Sequence, residues 1–159
     1  MKQTVMFPGS FDPPTMGHLD IVNRALNMFD KVHIVIANNI EKKYLFTIDQ
    51  RLKMLNELYK NNDRVVICAS DDLITNYAKE NDIKIVIRGL RAVNDFAFEF
   101  ELALLNKKLY PKLEVVFLPT DANNFLIRSS KIKELVKFNA DISAMVPQVV
   151  IEEFKNIEL

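Results

Sequence analysis

Five short apolar-rich runs, each separated from the next by a stretch of helical periodicity, limit what this chain can become more than any other feature. They are Val5-Met6-Phe7, Val32 to Ala37, Val65 to Ala69, Ile83 to Ile87 and Leu113 to Leu118. The second is almost unbroken in its apolarity, as a strand covered on both faces must be. Between the first two, Leu19, Val22, Ala25, Leu26 and Phe29 recur at the spacing of one helix face. Strands alternating with helices in this way imply right-handed crossovers and a parallel sheet. The expected fold is α/β: a doubly wound, Rossmann-like, five-stranded parallel sheet of order 3-2-1-4-5, with helices on both faces and further helices at the C-terminal end. A length of 159 residues suffices for one domain, 1-159, without disulfide or metal staples.

The helices have readable limits. Thr15 predicts an N-cap for a helix from near Met16 to near Asp30, and Thr47 with Gln50 fits a capping box for the next. A third helix is expected from Asp72 to Asn81, one near Ser129, and a last within Ile142 to Leu159, begun at Pro147. From Asp95 to Leu109 the apolar residues, Phe96, Phe98, Phe100, Leu102, Leu104 and Leu105 among them, lie almost all round the helix. Such a helix must bury more than one face, so it is expected to cover the sheet and to meet a neighbouring subunit.

The connection from Phe7 to Ile21, FPGSFDPPTMGHLDI, carries the chemistry. It is a strand-to-helix turn holding two of the chain's three glycines, Gly9 and Gly17, in a sequence that otherwise hardly uses the residue. His18 falls in the first turn of the helix, where free backbone N–H groups and the positive end of the macrodipole favour an anion and disfavour a charged imidazole. A neutral His18 could donate to a phosphate oxygen, and Ser10 adds a hydroxyl. The pattern is neither a P-loop nor G-x-G-x-x-G. The third glycine stands in Arg88-Gly89-Leu90-Arg91, directly after the fourth run, where two guanidiniums could clamp phosphates while the backbone comes close. In the expected topology, the loops after strands one and four meet at the switch point of the sheet, and those holding Lys42, Ile74 and Asn124 to Ser130 open on the same edge.

Composition removes several classes of function. Acidic and basic residues balance at 21 each, which argues against a general nucleic-acid or anionic-membrane binder. The single cysteine, Cys68, reads as a buried strand thiol, and His33 as a structural or surface residue. The sequence shows no signal-like leader and no apolar stretch of membrane-spanning length, so a cytoplasmic location is expected.

Gly9-Ser10-Phe11-Asp12-Pro13 followed by Thr15-Met16-Gly17-His18 resembles the T-x-G-H signature of the nucleotidyltransferase superfamily. With Lys42-Lys43, Ile87 to Ala92, Asp95-Phe96 and Ser129-Ser130, the chain resembles bacterial phosphopantetheine adenylyltransferases over nearly its whole length. The resemblance implies transfer of AMP from ATP to 4′-phosphopantetheine, with Mg²⁺ on the ATP phosphates and no protein residue set aside as a metal ligand. It implies His18, Lys42, Arg88 and Arg91 as catalytic residues, and Ser10, Lys42, Ile74 and Arg88 on the acceptor. ATP would be held by Ser10, Phe11, His18, Gly89, Leu90, Arg91, Glu99 and the loop Asn124, Phe125, Leu126, Ile127, Arg128, Ser129 and Ser130. A homohexamer is also implied. The sequence has Ser10 where the family often has threonine, and Arg128 where it often has the first of three serines. Other adenylyl- or cytidylyltransferases of the superfamily, or a non-catalytic nucleotide-binding module on the same sheet, are the competing readings.

Overall fold

The computed structural model describes residues 3–39 and 42–157. Its five strands are β1 (Thr4–Gly9), β2 (Lys31–Ala37), β3 (Val65–Ser70), β4 (Ile85–Leu90) and β5 (Glu114–Pro119). They form one sheet of order β3-β2-β1-β4-β5, parallel throughout, as the alternation of runs predicts. The helices are α1 (Met16–Met28), α2 (Ile48–Tyr59), α3 (Ile74–Glu80), α4 (Val93–Leu109), α5 (Ser129–Lys137) and α6 (Gln148–Lys155), with a 3-10 turn at Ala122–Asn124.

Alternation along β1 divides the core between the two faces of the sheet. Val5 and Phe7 join Ile34, Ile36, Ile87 and the buried face of α1 (Ile21, Val22, Ala25) with Leu55 of α2. Met6 points the other way, into Val35, Val86, Leu113 and Ala78 of α3. A third cluster, Phe46, Met54, Ile132, Val150 and Phe154, ties α2, α5 and α6 together beside the sheet. The sheet thus carries one helix layer on each face, and the C-terminal helices close one end.

Several boundaries move for physical reasons. β4 runs on to Leu90, because Arg88, Gly89 and Leu90 pair with Phe117, Leu118 and Pro119 of β5. The arginine motif is therefore largely the end of a strand rather than a loop after it. α3 begins at Ile74, not Asp72, whose carboxylate instead accepts from the Leu73 N–H at 2.6 Å. The C-terminal segment is helical only over Gln148–Lys155, with Pro147 as N-cap, and residues 158 and 159 of that expected helix lie outside the described residues. The Thr47 box forms as predicted: the hydroxyl accepts from Gln50 N–H at 3.2 Å, and the Gln50 side chain accepts from Thr47 N–H at 2.9 Å. α4 packs Phe96 edge-on against Phe117 of β5, with ring centres 5.6 Å apart, while Phe98, Phe100, Leu104 and Leu105 remain exposed.

Candidate active site

Beyond the C-terminal ends of β1 and β4 lies a cavity of about 410 Å³. Its floor is Pro8, Gly9 and Gly89, and its walls carry His18, Arg88, Arg91 and Glu99. Ile127, Arg128, Ser129 and Ser130 close it from the side of α5, and Ser10 and Phe11 line it from the turn. A Cβ built on Gly89 would meet only Ile21 at ordinary contact distance, so nothing within the chain itself demands a glycine there. What the missing side chain does is leave the cavity floor as bare backbone.

His18 is set by its neighbours in tautomer as well as position. As the third residue of α1 it stands where a capping box has Glu or Gln, and its Nδ1 accepts from the Thr15 N–H at 3.0 Å. An Nδ1 that accepts this bond carries no hydrogen, so in the neutral ring the proton is on Nε2. The ring lies 4.9 Å from Phe11 and 6.2 Å from Phe7, centre to centre, with the rest of its surface on the cavity. Burial lowers its pKa from 6.5 to about 4, and the charge of Arg91 lowers it further in the same direction. Half-buried against Phe11 and beside Arg91, the ring is thus kept neutral as expected.

Phe11 holds this arrangement at a conformational cost. It is 1% exposed and has φ of 47°, in the left-handed region that bulky residues avoid. Its ring occupies the space a side chain at Gly9 would need: a Cβ there would stand 3.0 Å from Phe11 Cε2. Gly9 is therefore required by the ring rather than by a turn, since no described glycine has positive φ.

The two arginines differ in how firmly they are held. Arg88 donates from Nε and Nη2 to the two carboxylate oxygens of Glu99, each at 2.6 Å, and from Nη1 to the Pro8 carbonyl at 3.0 Å. Of its five N–H groups, two remain for a ligand. Arg91 is loosely held, its Nε 3.5 Å from Asp95 Oδ2, and that buried oxygen has no hydrogen-bond partner. Asp95 and Glu99 are one turn apart on α4, so this helix supplies a carboxylate behind each guanidinium. At the opposite wall, the Ser129 hydroxyl donates to the Pro13 carbonyl at 2.9 Å, leaving Ser130 and the unpaired amides of α5 to face an anion.

Not every sequence-predicted residue arrives here. Lys42 is exposed on the loop after β2, its N–H donating to the Asn39 carbonyl, and it does not line the cavity. Ile74 opens α3 and packs into the cluster with Cys68 and Tyr77. Leu90 is in the β4–β5 ladder, and Asn124, Phe125 and Leu126 stand outside the lining, the last two exposed. Sequence reasoning in turn missed Thr120 on the lining, and it missed the groups that brace the turn from behind. Arg51, 1% exposed, donates to the Ser10 carbonyl at 3.0 Å and to Asn38 Oδ1 at 3.3 Å, with Tyr44 stacked 4.1 Å away. Nothing in its helical pattern marks it as buried.

The lining offers guanidiniums, hydroxyls, backbone amides and one imidazole N–H, which suit anions. Among the described residues no group of three or more His, Cys, Asp or Glu side chains gathers as a metal site. Glu99, the carboxylate on the wall, is taken by Arg88 on both oxygens.

A parallel sheet with a donor-lined turn at its switch point suits a nucleotide, and the match of the cytidylyltransferase-like family model to residues 6–135 places the chain among the nucleotidyltransferases. Phosphopantetheine adenylyltransferases from Dictyoglomus turgidum and from Anaeromyxobacter sp. (strain K) are similar to the chain at 46% and 41% identity. The first match covers 93% of the chain and 92% of the relative, the second 96% and 93%. A solved structure from Vibrio parahaemolyticus, described as a candidate nicotinate-nucleotide adenylyltransferase, shares the fold with a TM-score of 0.72 at 19% identity, over 98% of this chain and 93% of that one. The chain belongs to the phosphopantetheine adenylyltransferase family.

Proposed function

We propose that this chain transfers the adenylyl group of ATP to 4′-phosphopantetheine, forming dephospho-coenzyme A and pyrophosphate. The observation that carries the reading is His18: a neutral imidazole, protonated on Nε2, on the wall of a cavity that also presents Arg88, Arg91 and the serines Ser10 and Ser130, at a family-typical turn. An oxygen of the acceptor phosphate attacks the α-phosphorus of ATP, and the bond from that phosphorus to the bridging oxygen of the β-phosphate breaks. The electron pair leaves with pyrophosphate. The acceptor phosphate has a second pKa of about 6, so it arrives mostly dianionic and needs no general base. Catalysis then consists of alignment, which can supply roughly 7 to 11 kcal/mol, and of donors aimed where charge collects on the α-phosphate.

In this reading His18 Nε2–H donates to an α-phosphate oxygen in the transition state, and Arg91 with the free amides of α5 takes the remaining phosphates. Ser10 and the two open N–H groups of Arg88 face the acceptor phosphate. Lys42 joins them only if its loop turns inward when the acceptor binds, and Ile74 would meet the pantetheine arm. Ser10, Phe11, Gly89, Leu90, Glu99 and the loop Asn124 to Ser130 frame ATP, which brings Mg²⁺ on its own phosphates. The exposed phenylalanines of α4 support assembly into a homohexamer. Among the described residues no helix is long and apolar enough to cross a membrane, and a cytoplasmic enzyme fits the substrates.

The test is pyrophosphate release from ATP and Mg²⁺ with 4′-phosphopantetheine, beside nicotinamide mononucleotide and glycerol phosphate. Release with phosphopantetheine alone is expected. Release only with another acceptor would overturn the substrate and keep the His18 chemistry, and silence with all three would overturn the enzymatic reading.

A further inference from the structure

One carboxylate joins three segments that are distant in sequence: the turn after β1 and α5, which both line the cavity, and the loop that carries Lys42, which does not. Asp12, in the turn after β1, is 3% exposed. Its Oδ1 accepts from the Phe46 N–H at 2.9 Å, and its Oδ2 accepts from the Leu45 N–H at 3.1 Å and from Lys133 Nζ at 2.7 Å. Leu45 and Phe46 close the loop that carries Lys42. Lys133 lies on α5, one turn beyond Ser129. None of these four side chains lines the cavity, so the arrangement does not serve as part of the binding surface. The Ser129 hydroxyl bond to the Pro13 carbonyl runs beside it and joins α5 to the same turn.

The chemistry of the joint makes it directional. Lys133, 28% exposed along its side chain, reaches from the protein boundary to a carboxylate that is nearly sealed. Charge-assisted bonds of this kind are short and hold geometry well. The two backbone N–H groups fix the acceptor-side loop to Asp12, and the ammonium fixes the nucleotide-side helix to the same atom group. Packing of Phe46 with Ile132 and the Ser129–Pro13 bond hold the two sides together, and Asp12 is the one polar group bonded to both.

Building on the adenylyl-transfer reading above, we propose that Asp12 and Lys133 are a positioning pair that sets the distance between the nucleotide-binding end of α5 and the acceptor loop. In a reaction without a general base, alignment is the principal resource, and a misplacement of about 1 Å can cost 100-fold in rate. Loss of the pair therefore shows in turnover more than in the binding of either substrate.

Lys133→Met is expected to lower kcat at least about tenfold while the KM for ATP and the KM for 4′-phosphopantetheine each stay within about threefold. Lys133→Arg keeps the cation and regains most of the loss. Since Lys133→Met strands a buried carboxylate, the double variant Asp12→Asn, Lys133→Met removes the stranded charge, although the amide NH2 then faces one of the two backbone N–H groups; it is expected to regain part of the lost thermal stability and none of the lost kcat. Recovery of kcat along with stability, or a loss carried wholly by one KM, would show a merely structural staple and overturn the proposal. A second readout is independent of the acceptor: in the wild-type chain, ATP with Mg²⁺ slows amide hydrogen exchange at Leu45 and Phe46, and Lys133→Met abolishes the effect. No slowing in the wild type, or slowing that survives Lys133→Met, refutes the pair. Wild-type inactivity toward phosphopantetheine would refute only the substrate assignment.

Discussion

His18 should titrate near pH 4, and the consequence can be worked through to a stability curve. Its pKa is lowered from 6.5 to about 4 in the folded chain. Between those values the unfolded chain binds a proton that the folded chain refuses, so the folded state loses stability as pH falls through the window from 6.5 to about 4. Above 6.5 the contribution is constant, and below about 4 the loss is complete. At 1.36 kcal/mol per pH unit the full difference is about 3 kcal/mol, an upper bound because the ring keeps an edge toward the cavity. Only two histidines are present, so ring carbon and nitrogen resonances can be assigned with His33→Gln alone. His33 is also lowered, by burial first and then by Lys31, and it adds to the pH dependence in the same sense. The decisive comparison is therefore wild type against His18→Gln, in which the third helical residue becomes an ordinary capping-box glutamine. Urea unfolding from pH 7 to 4 should show a steeper loss in the wild type, by up to about 3 kcal/mol. A His18 resonance that titrates at 6 to 6.5, with parallel stability curves, would refute the argument that enclosure keeps the ring neutral.

Three further outcomes follow from particular contacts. Phe11→Ala deletes a ring that is 1% exposed, and should cost about 3–5 kcal/mol in chemical denaturation while moving the His18 titration up toward 6.5; an unmoved titration would remove Phe11 from the enclosure. Lys42→Ala should raise the KM for phosphopantetheine or lower kcat with the unfolding midpoint unchanged, because the side chain is exposed in the free chain; wild-type kinetics would take Lys42 out of the site. Phe98→Glu, at a position 66% exposed on α4, should shift sedimentation to a smaller species without unfolding the chain; a wild-type protein that already sediments as a monomer would refute the assembly.

The sheet was legible because its evidence is periodic. Continuous apolar runs such as Val32 to Ala37 and the three- and four-residue spacing of α1 are set by burial on one or both faces, and burial is written in residue type. The turn around His18 was legible for a different reason: Thr15, Gly17 and His18 are a local motif whose partners lie within four residues. What the sequence withheld depends on long-range pairing. Arg88 stands alone beside a glycine in the sequence, and only folding reveals that Glu99 takes one edge of its guanidinium. Arg51 sits in an amphipathic helix like any surface arginine, yet its guanidinium ends beneath the Ser10 carbonyl.

These hidden contacts share a physical logic. A cavity lined by Arg88, Arg91 and Arg128 concentrates positive charge, which without a ligand is repulsive, and the chain offsets it unequally. Glu99 neutralises Arg88 firmly, whereas Asp95 stands 3.5 Å from Arg91 with a buried oxygen unsatisfied. An unsatisfied carboxylate oxygen costs roughly 1–3 kcal/mol, so the Arg91–Asp95 contact is the one poised to rearrange. When an anion draws on the guanidinium, Arg91 can turn its outer N–H groups to the ligand and bring Nε closer to Asp95. Arg88 has no such freedom and offers a fixed edge. In the proposed reaction the rigid Arg88 would fix the acceptor phosphate, and the adjustable Arg91 would follow phosphates whose charge shifts as the bond to the leaving group breaks.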